Sequence, residues 1–76
     1  MGLKDLPDAS GDRHAKAFGR LGWERQPKRG KGSHIVVAKN GRHLSIPNHR
    51  SVKRTVLATL LERAGVTEAE YLDVFR

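Results

Sequence analysis

The chain contains no cysteine. That excludes disulfides and thiolate metal centres and fits a reducing cytosol. The longest apolar run is Ile35-Val36-Val37-Ala38. A membrane helix needs about 20 apolar residues, so no membrane span and no secretory core segment is expected. Cytoplasmic location is the reading that follows. Aromatics are scarce, with Phe 2, Trp 1 and Tyr 1. That argues against a single-strand platform that stacks bases on exposed aromatics. No Walker or dinucleotide glycine motif is present, and at 76 residues a deep site for a large cofactor is not expected. The most informative absence is acidic. Residues 25 to 61 contain no Asp or Glu and nine Lys or Arg, while the eight carboxylates lie four before and four after.

What is present follows from that gap. The formal net charge is +7. Such a balance favours phosphate polymers or acidic surfaces. A merely solvating surface intersperses both signs, and this chain separates them. The size makes one domain over residues 1–76, with 1–9 as a leader in which Pro7 discourages early helix. Ser10 is a plausible N-cap, and Ala15, Phe18 and Leu21 recur at helical spacing up to Gly22. Trp23 to Gln26 reads as a strand, 27–32 as a basic loop, and His34 to Lys39 as a β-branched strand. Asn40-Gly41 is the strongest hairpin signal in the chain. His43 to Ile46 returns, ended by Pro47. A second helix starts between Ser51 and Thr55, with Leu57, Leu60, Leu61 and Ala64 as its apolar stripe and Gly65 as its stop. Thr67 to Glu70 reads as a capping box that opens a short terminal helix. The order is α-β-β-β-α with a C-terminal extra helix. It predicts an α+β fold: two helices on one face of a three-stranded antiparallel sheet.

Side chains alternate across a strand. If Ile35 and Val37 face the helices, His34 faces out beside the basic loop. Imidazole is the side chain that titrates nearest neutral pH, so it can exchange protons beside bound phosphate. An exposed strand histidine is also compatible with no role. The neighbouring Gly32 and Ser33 favour a functional one, since successive backbone N–H groups can form an anion nest and a hydroxyl adds a hydrogen bond. Lys28, Arg29 and Lys31 in the loop, with Arg50, Lys53 and Arg54 before the second helix, are the candidate phosphate contacts. His49 fits two roles equally, an RNA contact or a loop histidine satisfying backbone carbonyls. His43 sits near the far end of the central strand, and His14 on the first helix reads as structural or solvated. Zinc is not expected, because His34, His43 and His49 lack paired spacing and a nearby carboxylate. The same lack of acids argues against Ser33 as a triad nucleophile. Trp23 reads as core.

The ordered set Gly22-Trp23, Gly30-Lys31-Gly32-Ser33-His34, Ile46-Pro47-Asn48-His49, Leu57 to Leu61 and Ala64-Gly65-Val66 resembles HicA-type toxins of bacterial and archaeal toxin–antitoxin systems. The resemblance runs from about Ser10 to Phe75. It implies a fold like that of double-stranded-RNA-binding domains and an mRNA interferase activity. The family's catalytic histidine falls in its Gly-Ser-His motif, which is His34 here. The implied partner is a HicB-type antitoxin that covers the site. Two departures stand out. Trp23 replaces the usual Phe, and Thr55-Val56-Leu57 replaces the favoured Gly-Thr-Leu where RNA or antitoxin docks.

The leading expectation is thus metal-independent cleavage of mRNA, with His34 as acid or base and Lys31 with the Gly32-Ser33 backbone stabilising the phosphate. His49 or a water is the candidate for the second proton transfer. The alternative is a non-catalytic module that holds double-stranded RNA by shape, through phosphate and 2′-OH contacts. A third reading, compatible with the first, is a basic surface made to meet an acidic antitoxin.

Overall fold

The structure is a computed structural model that describes residues 5–29 and 32–76. Helix α1 spans Gly11–Arg20, strand β1 Glu24–Arg25, β2 His34–Lys39, β3 Arg42–Pro47, α2 Arg54–Ala64 and α3 Glu68–Phe75. The strands form one antiparallel sheet in the order β1-β2-β3. The expected α+β architecture is therefore present: three helices and a three-stranded antiparallel sheet.

Local chemistry accounts for the boundaries. Ser10 caps α1 by accepting the Arg13 N–H at 3.2 Å. Gly22, at φ 94°, takes the turn that follows, in a region closed to most side chains. Strand β1 is shorter than the span 23–26. Trp23 is 3% exposed and donates its N–H to Phe18 O at 3.0 Å, so it seals the end of α1 instead of joining the sheet. Gln26 still makes one rung, N–H to Val36 O at 2.7 Å, before its carbonyl accepts Arg29 N–H at 3.1 Å in a tight turn. Asn40 and Gly41 have φ of 50° and 78°, and Lys39 pairs with Arg42 across them. Both positive values are what a two-residue primed turn requires. The short loop extends β3 by one residue at each end beyond 43–46. Pro47 can join because it pairs with His34 without offering a ladder N–H.

The core lies between the sheet and the helices. Ile35, Val37, Leu44 and Ile46 point inward against Phe18, Leu57, Leu60, Leu61 and Tyr71, all buried. Burying each such side chain contributes about 1.5–3 kcal/mol relative to exposure. Residues before α1 join this core too. Leu6 is 1% exposed, and Ala9 O accepts Val52 N–H at 3.0 Å. Gly11 fixes where α1 meets the end of β3. Its N–H donates to His49 O at 2.9 Å, and a Cβ there would stand 2.1 Å from Pro47 O. Thr67 and Glu70 form a full capping box at α3.

Candidate functional site

His34 opens β2 and is exposed, as are Gly32 and Ser33 before it. Along the strand Ile35 and Val37 are buried while Val36 and Ala38 are half-buried, so the ring lies on the face turned away from the helices. Ser33 Oγ and His34 Nδ1 lie 3.1 Å apart in a hydrogen bond. That bond couples the hydroxyl to the tautomer. If Oγ–H donates, Nε2 carries the ring proton; if Nδ1–H donates, Nε2 is the free acceptor.

Asn48 holds the segment from the other side. Its backbone N–H donates to Ser33 O at 2.9 Å, and its Nδ2 donates to Gly32 O at 3.0 Å. No described peptide bond is cis. In a trans peptide the N–H points opposite the preceding carbonyl. With Ser33 O turned to Asn48, the His34 N–H turns toward the β1 side. There the chain departs after Gln26, and a cleft of about 250 Å³ opens. Arg25, Gln26 and Pro27 line it from the end of β1; Gly32, His34, Ile35 and Val36 line it from β2, with Asn48 at its margin.

The electrostatics are uneven. Arg25 donates to Asp12 Oδ1 at 2.9 Å, and Asp12 also pairs with Lys16 at 3.3 Å. These hydrogen bonds, that of Arg25 first, hold the Asp12 carboxyl below its ordinary range. Lys28 and Arg29 are exposed in the turn after β1. Lys31 lies outside the described residues. Arg50 and Lys53 are exposed where the chain enters α2. Lys53 is the N-cap of that helix, without a side-chain cap bond and with no acid in the first turn. Helix N-termini favour anions, so Arg50 and Lys53 before such an end, with Arg54 as its first residue, make a surface that attracts phosphate. Arg54 is partly committed, donating Nε–H to Leu6 O at 2.9 Å. Thr55 is helical there without the glycine of the resembled pattern, and Leu57 is fully buried.

Not every candidate meets at the cleft. His49 is exposed but does not line it; its carbonyl is spent on Gly11. His43 is exposed and pairs with Ala38, away from His34. His14 is fully buried, with Nδ1 2.5 Å from the Tyr71 hydroxyl, which makes it structural. Among the described residues, no group of three His, Cys, Asp or Glu could hold a metal, and no helix is long and apolar enough to cross a membrane. Sequence reasoning passed over Arg25, Gln26 and Asn48 as site residues. For Asn48 the signal was its place in the Ile46-Pro47-Asn48-His49 motif. Arg25 and Gln26 gave none, because the divergence of β1 from β2 creates their role.

A family model for the HicA toxin of bacterial toxin–antitoxin systems matches residues 11–66. The chain belongs to the HicA toxin family. No curated protein and no solved structure matches it. The matched span takes in α1, the whole sheet and α2, and so contains Gly32-Ser33-His34 and Asn48. HicA chains are the toxin halves of two-component systems, so membership implies an antitoxin partner.

Proposed function

We propose that this HicA-family chain is a metal-independent mRNA endoribonuclease that acts in the cytoplasm and is held in check by a HicB-type antitoxin. One observation carries the reading: His34 is exposed at the rim of a cleft, at the start of the central strand, in a stretch of sequence that holds no carboxylate, with its Nδ1 engaged by Ser33. The ribose 2′-oxygen attacks the adjacent phosphorus as the bond from phosphorus to the 5′-oxygen breaks. The products are a 2′,3′-cyclic phosphate and a free 5′-OH. One proton leaves the 2′-OH and one reaches the departing 5′-oxygen. His34 Nε2 carries one of these transfers, and the Ser33 bond at Nδ1 sets which. Because His49 stands off the cleft, water serves the other. The His34 backbone N–H, turned toward the cleft, is placed to meet charge that builds on the phosphate oxygens. Lys28, Arg29, Arg50, Lys53 and Arg54 hold the RNA backbone.

The test is His34→Ala assayed in EDTA. Cleavage should fall by about 10²- to 10⁴-fold while RNA binding persists. DNA should resist, because it lacks the attacking hydroxyl. Unchanged cleavage by the variant, or equal cutting of DNA, overturns the mechanism. The basic surface at the start of α2 also suits a non-catalytic module for double-stranded RNA, and the same assay separates the two. Stable complexes with wild-type protein and no fragments would favour the module.

A further inference from the structure

Beyond the His34 N–H at its rim, the described lining of this cleft offers little charge to a phosphate group. Arg25, the cation among its described lining residues, is already matched by Asp12 at 2.9 Å. Its other walls are largely neutral. Pro27 and Val36 give apolar surface, and Gln26 and Asn48 give amides. An amide carries both donor and acceptor, the pairing that reads the edge of a nucleobase. The Asn48 amide nitrogen is engaged by Gly32 O at 3.0 Å. The Gln26 amide nitrogen likewise donates to a carbonyl, Glu24 O at 3.2 Å, which holds the amide beside the cleft. A base must also lie near His34 if the ribose hydroxyl reaches its ring, because base and hydroxyl share one sugar.

We propose that this cleft is a nucleobase subsite, taking one unpaired base beside the scissile linkage, with Gln26 reading its edge. The inference rests on the ribonuclease reading and adds two things to it. The substrate is unpaired RNA, since a paired base cannot leave its partner to enter the cleft without losing that pairing. The cut site is also chosen partly by the base that enters.

The experiment uses the full chain and a pool of RNA with random single-stranded and hairpin segments. Fragment ends are sequenced for the wild type, Gln26→Ala and Val36→Phe. The Val36 ring would fill the cleft from the half-buried outer face, so the fold should persist, as checked by circular dichroism. The wild type should show a base preference next to the cut and spare hairpin stems. Gln26→Ala should relax that preference at least about fivefold. Val36→Phe should abolish it and slow cleavage. The same base distribution in all three proteins overturns the subsite, even though RNA is cut. If the wild type cuts nothing, the nuclease reading fails by itself. The subsite is then judged by affinity of His34→Ala for labelled single-stranded oligomers of each base: differences lost on adding Gln26→Ala support it, and equal affinities refute it. If both variants cut like the wild type but lose antitoxin binding, the cleft belongs to the protein partner and the proposal falls.

Discussion

His14 and His34 share a side chain and nothing else. His34 meets solvent at the start of β2, while His14 is fully buried against Tyr71, Phe75 and the core. Burial, with a smaller push from Arg13, lowers the His14 pKa to about 4, against an opposing pull from Asp8. Burial also pushes the Tyr71 hydroxyl up, so it stays a neutral partner for His14 Nδ1. The consequence for stability has a definite sign. Between the unfolded value near 6.5 and the folded value of about 4, the unfolded chain binds the extra proton. Stability from this group is therefore present above pH 6.5 and lost as pH falls toward 4, by about 3 kcal/mol in all. Asp12 and Glu70, whose carboxyls are held low, lose their contributions only at more acid pH. Urea unfolding of wild type and His14→Gln from pH 7 to 4.5 checks this. The variant should show a much flatter decline, and an equal slope in both proteins refutes the assignment.

At the scale of elements, the site depends on where α1 and the end of β3 touch. Gly11 leaves no room for a side chain, with Pro47 O 2.1 Å from where a Cβ would be. Gly11→Ala must push β3 and residues 48–49 away from α1. Asn48 would move with them, loosening its grip on Gly32 and Ser33. The expected result is destabilisation of more than about 2 kcal/mol by thermal or urea unfolding, with activity falling further than stability alone explains. A fully active, equally stable variant would show that the contact does not position the site. Helix α3 sits outside the matched span and away from the cleft. Thr67→Ala removes its cap and should cost about 1 kcal/mol in the same measurement, with cleavage of RNA unchanged at low temperature. The short β1 matters for the opposite reason: where it stops pairing, the cleft begins.

The whole molecule carries +7, spread so that the carboxylate-free stretch supplies Lys28, Arg29, Arg50, Lys53 and Arg54. Electrostatic attraction of this kind gives affinity that falls with salt. Each phosphate contact contributes a slope of about −0.7 to −0.9 in log affinity against log salt. Arg50→Ala and Lys53→Ala should each reduce the slope by about that much, measured by fluorescence anisotropy with a single-stranded RNA. Arg54→Ala should alter stability as well, because Arg54 also holds Leu6 O. A salt slope unchanged in the first two variants would move the RNA path off the start of α2.

Much of this protein was legible in one dimension, because local chemistry fixes local structure. Ser10, Gly22, Asn40-Gly41, Gly65 and the Thr67 to Glu70 box each enforce a turn or cap through their own bonds and φ values, and all do so here. Strand alternation placed His34 outward and Ile35 and Val37 inward for the same reason. What the sequence could not determine depends on residues far apart in the chain. Leu6 enters the core beside the start of α2, where Arg54 donates to its carbonyl, and Trp23 bonds back to Phe18 at the end of α1 instead of joining the strand. His49 stands off the cleft because its carbonyl serves Gly11, whereas Arg25, Gln26 and Asn48 reach it because β1 and β2 diverge there. Caps and turns need only neighbours in sequence. A cleft needs a gap between strands, and only the folded chain sets its position.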